Sequence, residues 1–459
     1  IGNSGSGERG GSLYLEYSGS HADEIKLQIR DISAQKNVVT EIPLLDITPD
    51  QWYGRSAEER KAQITAYVET LRAYVSGLTF PNDSSRRTNI RNATEIATPS
   101  VLLSLPADQV LAGLGGAQAS TEEMTQKLYD AICAWEQLLF LANKTQGVID
   151  GDAVFADYRY PMETRQNIRF SRMFSGAFMF AAGSRSMVTG YPLGQNGTGG
   201  GIDADDVNGL YGWGIAHEIG HNMDKIGYAE ITNNIYSLVA QTADTGNMTG
   251  PSRLEGMYTA IFDKVALGKP GHAGDVFTQL GMYWQLHLAY DEAGNPLDGA
   301  GALDFYNAFF AKWKAGAYSD AASKDDRIAL IAAEVTGKDL TEFFTRWGME
   351  LSQQTKTTLA EYAEETRNIW YLNDQSRRDR LNGERQAELT ANVTAAVEGE
   401  KQTQLTITVS GDADRIQGYE ILRNGTPVGF LMGNGSETQT YTDTVGTANN
   451  MAFAYTVRV

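Results

Sequence analysis

The chain reads as an α+β protein, with β-structure at both ends and a main body whose C-terminal half is mostly helical. Three observations predict this. Residues 12–46 look β-rich, with runs that alternate apolar and polar side chains, long capped helical patterns fill the middle, and beyond residue 384 short alternating runs are parted by turn residues. With 459 residues, 42% hydrophobic and 21% charged, the chain has material for about two or three domains and a large core. The expected division is a β-rich segment at 1–48, a main domain at 49–383 and a small β-domain at 384–459.

The elements follow in order. "SLYLEY" and "IKLQIRDI" have the period-2 pattern of half-buried strands. "SAEE" at 56–59 is a capping box, Ser56 with Glu59, ahead of a helical run that Gly77 stops. "SVLLSL" before Pro106 is a strand, and Ser120 with Glu123 caps a second long helix to about Leu141. Between 167 and 193, glycine breaks divide "NIRFSRMFSGAFMFAAGSRSMVTGYPL" into two or three short strands. After residue 250, "RLEGMYTAIFDKVA", "DVFTQLGMYWQLHLAYDEA", "ALDFYNAFFAKWKA", "KDDRIALIAAEV", "LTEFFTRWG" and "TTLAEYAEETRNIW" read as helices, the fourth capped by Ser323 with Asp326. The polar, basic "DQSRRDRLNGERQ" at 374–386 reads as a linker. In the tail, "QLTITVS", "GYEILRNG", "TPVGFLM", "TQTYTDTV" and "MAFAYTVRV" alternate as strands, with "RNGTP" a hairpin turn. This tail resembles an immunoglobulin-like or fibronectin-III-like sandwich, short enough for its final strand to be missing.

Charge narrows the partners. The net charge of -19 argues against nucleic acid, whose phosphates need clustered Lys and Arg, and fits an acidic solvated surface. The single cysteine, Cys133, excludes an intramolecular disulfide and sits in an apolar helical pattern as an inert thiol. No apolar run approaches the ~20 residues that span a bilayer. The start "IGNSGSGERGG" carries no signal-peptide pattern and reads as a piece of something longer. The chain is read as a monomer.

Two of the five histidines stand four residues apart in "WGIAHEIGHNM": His217, Glu218 and His221 form an HExxH pattern. On a helix, positions i and i+4 share a face with Cβ atoms about 6 Å apart, so both imidazoles can converge on one zinc ion. Glu218 is rotated away from both and is free to act as general base on a water molecule. "DADD" at 203–206 offers caps for this helix, and Lys225 and Gly227 mark its end.

A catalytic zinc takes three protein ligands and one open position. "AEITNNIYSLVAQTA" is expected to begin a second helix just after Gly227, with Ile231, Ile235, Leu238 and Val239 as its apolar stripe and Glu230 in its first turn. Folded back against the first helix, it would bring Glu230 to the histidines. Asp224 shares the histidines' helical face and is the rival ligand, although three ligands on one straight helix close poorly around a tetrahedral ion. His272 is a further alternative.

The segment "WGIAHEIGHN", followed after eight residues by "EITNNIYS", resembles the enhancin-type zinc metallopeptidases, a gluzincin group with the pattern HExxH-x8-E. "VTGYPL", "MYWQL", "FFTRWGMELS" and "GGSLYLEYSG" resemble further blocks of that family, so the likeness spans about residues 10–370 and leaves out the tail. It implies a zincin-like catalytic domain, one catalytic zinc held by His217, His221 and Glu230, and Glu218 as the catalytic base. It also implies an extracellular or cell-surface bacterial enzyme of the O-glycopeptidase kind, cutting O-glycosylated, mucin-type glycoproteins. A general endopeptidase and a non-catalytic glycan-binding or adhesin module are the competing functions. Tyr283 and His287 are candidate oxyanion donors, with half-buried packing the preferred reading. The "AFMFAAG" strand could pair with an extended substrate. "DADDVNG" lacks the distal glutamate of a calcium loop, and "GTGGG" lacks the GK[ST] of a phosphate cradle.

Overall fold

Reciprocal caps start both long helices of the N-terminal half in a computed structural model of the chain. The model describes residues 30–31, 36–37, 41–80, 82, 91–159, 165–170, 179–181, 186–189, 213–243, 248–268, 274–384, 388–398, 401–445 and 452–459. Contacts divide the chain into two compact units, Ile1–Phe140 with Phe155–Asn222, and Leu141–Val154 with Met223–Val459.

In the first unit, the Ser56 hydroxyl accepts from the Glu59 N–H at 3.3 Å and the Glu59 carboxylate accepts from the Ser56 N–H at 2.8 Å. The helix Ala57–Ser76 follows, stops at Gly77 and buries Ile64, Tyr67, Val68 and Leu71. Ser120 and Glu123 repeat the exchange for Thr121–Thr145. That helix runs a turn beyond the expected end at Leu141 because Lys144 and Thr145 are buried with partners. Thr145 Oγ1 donates to the Leu141 carbonyl, and Lys144 Nζ donates to the carbonyls of Ala153, Pro296 and Gly299.

Six strands form a mixed sheet in the order Leu44–Asp46, Thr94–Ala97, Val101–Leu105, Gln166–Phe170, Ser186–Thr189, Met179–Ala181. The expected strand "SVLLSL" and the three short strands of 166–189 are therefore present, with Met179–Ala181 at the edge. Glu136, fully buried, accepts from Tyr53 OH, Thr98 Oγ1, Ser100 Oγ and the Ser100 N–H, tying the Thr94–Leu105 turn to the long helix. Burial pushes its carboxyl above the ordinary range. Burial likewise raises the half-buried Cys133 thiol to about 11, as expected of an inert side chain. Of the N-terminal β-rich stretch, Arg30–Asp31, paired with Lys36–Asn37, and Leu44–Asp46 are strands among the described residues.

The second unit carries the helices Tyr258–Ala266, Val276–Tyr290, Asp304–Lys314, Lys324–Thr336 and Thr341–Arg346 close to their expected places. Two expectations are corrected. In place of a helix over 357–370 there is a shorter one, Gln353–Leu359, capped by Ser352. Beyond it, Ala363–Glu364 pairs with Lys338–Asp339. The expected linker is a helix, Asp374–Leu381, capped by Asn373. Two of its polar residues point inward: Arg377 is buried and donates to the carbonyls of Asp291 and Glu292, and the buried Asp374 accepts four hydrogen bonds. Polarity there signals buried hydrogen bonding and not solvation.

The tail forms two three-stranded antiparallel sheets. One orders Leu389–Glu398, Gln402–Gly411, Thr438–Thr444, and the other Thr426–Met432, Gly418–Arg423, Tyr455–Arg458. Leu405, Ile407, Val409, Tyr419 and Ile421 make their shared core. The hairpin at "RNGTP" has Asn424 and Gly425 at φ 51° and 79°, the left-handed pair that a two-residue hairpin needs. Phe430 packs on Phe262 and Tyr371, so these strands are fastened to the helices of their own unit. No helix among the described residues is long and apolar enough to cross a membrane.

Candidate metal centre

The helix Trp213–Met223 buries Ile215, Ala216, Ile219 and Met223. Its other residues include His217 and His221, both half-buried, and Glu218, which is 6% exposed. The two imidazoles meet edge-on, with Nε2 atoms 3.1 Å apart and ring planes at 89°. Two ligands at about 2.0–2.1 Å from a tetrahedral ion stand about 3.3 Å apart, so this spacing is that of a bidentate histidine clamp. The acidic "DADD" pattern lies outside the described residues.

Beyond Met223 the chain turns sharply. Asp224 accepts from the N–H groups of Ile226 at 2.9 Å and Gly227 at 3.0 Å, and Gly227 takes the left-handed φ of 76° that a side chain would strain. The second helix begins at Asn234 and not at Glu230. Glu230 stands one turn earlier, exposed and itself left-handed at φ 66°. The expected stripe of Ile231, Ile235, Leu238 and Val239 is buried, and so are Asn234 and Ser237. Asn234 uses its side chain to donate to the Glu230 carbonyl at 2.8 Å, closing the turn that precedes the helix.

Along this continuous stretch, one ligand atom from each of His217, His221 and Glu230 lies within 4.8 Å of the others, a group able to hold a metal ion. Two imidazoles and a carboxylate are a donor set suited to zinc. The rival Asp224 has both oxygens committed, to the two N–H groups and to Thr232 Oγ1 at 2.6 Å. His272 lies outside the described residues. Tyr283 and His287 are buried in the helix Val276–Tyr290. His287 Nδ1 pairs with Asp291 at 2.6 Å, its ring stacks on Trp284, and burial holds its pKa well below the usual histidine range. That is packing, as the bland reading expected.

Comparison with known proteins decides the family. The profile of Peptidase M60, enhancin and enhancin-like, matches residues 93–348, more than half of the chain. The chain belongs to the M60 peptidases. It is a mixed α/β M60 metallopeptidase domain, similar to the zincin-like fold. Its fold resembles the M60 catalytic domain of Clostridium perfringens ZmpC, solved in complex with the sialyl T antigen. Identity is 22% and the TM-score 0.61, over 91% of this chain and 73% of that one. The ZmpB metallopeptidase of the same organism matches at 20% identity and TM-score 0.59, over 91% and 73% of the two chains. The catalytic module of its metalloprotease ZmpA matches at 18% and 0.56, over 91% and 72%. No curated protein matches the chain.

Sequence reading missed the residues that shape the turn of this M60 domain around Glu230. Tyr228 OH donates to Asp325 at 2.6 Å while Lys324 lies 4.2 Å over its ring. Burial and the Asp325 carboxylate raise the Tyr228 phenol above its ordinary value. Local sequence could have flagged only the Asp224…Gly227 spacing, an aspartate ahead of a glycine in a tight turn.

Proposed function

We propose that this chain is a secreted zinc metallopeptidase that hydrolyses peptide bonds in O-glycosylated, mucin-type glycoproteins. The observation that carries the reading is the convergence of His217, His221 and Glu230, with Glu218 beside the first histidine. A zinc ion held by these three residues would polarise the scissile carbonyl and acidify an adjacent water. Glu218 takes a proton from the attacking water as its oxygen bonds to the carbonyl carbon. It then delivers that proton to the departing amine as the C–N bond breaks. Glu218 is 6% exposed, so little of it is open to bulk solvent. The edge strand Met179–Ala181 is where an extended substrate would align by strand addition.

The glycan preference is supported by the M60 family and by the sialyl T antigen bound in the ZmpC catalytic domain. The peptidase proper spans 49–383 after a β-rich segment at 1–48. Residues 384–459 form an immunoglobulin-like or fibronectin-III-like module, and the enzyme works as an extracellular or cell-surface monomer. A general endopeptidase without glycan dependence is the alternative.

One experiment separates these. A peptide with a single Ser or Thr is assayed with and without its O-linked sugar, using wild type and Glu218→Gln, with zinc content measured for both. Cleavage of the glycosylated form alone, lost in Glu218→Gln by about 100-fold or more with metal retained, is the expected result. Equal cleavage of both peptides removes the glycan claim, and an active Glu218→Gln removes the general base.

A further inference from the structure

We infer that Asp224 is a positioning residue of the metal centre, setting the left-handed turn that presents the Glu230 carboxylate; this rests on the metal-site reading above. Glu230 is one of four non-glycine residues with positive φ among those described. Such a conformation persists in a non-glycine residue only when its surroundings fix it. The fixing contacts radiate from Asp224. Its Oδ1 accepts from the Ile226 N–H and its Oδ2 from the Gly227 N–H, which folds the chain back immediately after the histidine helix. Oδ2 also accepts from the buried Thr232 hydroxyl at 2.6 Å. Thr232 in turn accepts from the Tyr228 N–H at 3.1 Å, and its own N–H donates to the Tyr228 carbonyl at 2.9 Å.

Residues 228–232 are thus closed into one loop, pinned to Asp224, with Glu230 at its apex. Side chains that orient a metal ligand in this way govern metal affinity without touching the ion. Asp224 therefore acts through Glu230, and its place one residue beyond the end of the histidine helix is where an anchor for the returning chain is needed.

The test is zinc affinity, measured by competition with a chromophoric chelator, for wild type, Asp224→Ala, Thr232→Val and Thr232→Ser. Wild type is expected to bind one zinc. Asp224→Ala should bind it about 10- to 100-fold more weakly and Thr232→Val about 10-fold more weakly, with Thr232→Ser close to wild type because it keeps the hydroxyl. Thr232→Val is nearly isosteric and keeps the test decisive if Asp224→Ala does not fold. Variants that lose thermal stability as apoproteins yet bind zinc as wild type does would overturn the inference, leaving the metal site intact. A wild type without stoichiometric zinc would overturn the metal-site reading itself.

Discussion

Replacing Asp374 tests whether the polar stretch 374–381 belongs to the core. Its carboxylate is 4% exposed. Oδ1 accepts from Tyr258 OH at 3.0 Å and Trp284 Nε1 at 2.8 Å, and Oδ2 from the Ser252 N–H at 3.0 Å and Ser252 Oγ at 2.7 Å. The position is also the first residue of its helix, where a negative charge is favoured. In Asp374→Ala the serine hydroxyl can turn elsewhere. The Trp284 N–H, the Tyr258 hydroxyl and the Ser252 N–H stay buried with nothing to meet. At about 1–3 kcal/mol for each of the three unsatisfied donors, the loss should be about 4 kcal/mol, toward the lower end of about 3–9. With a urea dependence of about 3 kcal/mol/M, the midpoint falls by about 1.3 M. Asp374→Asn keeps one acceptor oxygen but turns an amide N–H toward one donor pair, so its loss should be about half as large. An alanine variant that melts within about 0.3 M of wild type would refute the reasoning.

Three further outcomes are expected. Burial alone would raise the Glu365 carboxyl, but hydrogen bonds from Arg367 and Tyr290 outweigh it and hold the pKa at about 2, against an ordinary 4.5. A depressed folded-state pKa gives stability that is present above 4.5 and lost as pH falls toward 2. The stability gap between wild type and Glu365→Gln, followed by urea melts across that window, should therefore narrow with acid, and a constant gap contradicts the assignment. Gly147 has φ 65°, and a Cβ there would lie 2.6 Å from the Asn307 carbonyl oxygen and 2.7 Å from the Ala311 backbone nitrogen. Gly147→Ala should accordingly cost at least about 1–3 kcal/mol in the same melts, and a neutral variant contradicts the clash. Chelation should abolish turnover and lower the melting midpoint, with zinc and not magnesium restoring both; full activity in the chelator speaks against a metal-dependent reaction.

The sequence by itself determined what short-range chemistry decides. The boxes at Ser56 and Ser120, the stop at Gly77, the Asn424-Gly425 hairpin and the histidine pair are written within four residues, because their hydrogen bonds and facing positions span a single turn. The tail showed five strands by alternation, while Leu389–Glu398 was missed because its outer half is exposed and shows no apolar face. Tertiary structure decided whatever depends on distant partners. The stretch at 374–386 has the composition of a solvated linker, and only Trp284, Tyr258 and Ser252, about 90 to 120 residues away in sequence, make its aspartate a buried anchor. Likewise the convergence of Glu230 on the histidine pair was legible from its spacing, but not its left-handed turn or the role of Asp224, since a carboxylate's use depends on which donors the folded chain brings to it.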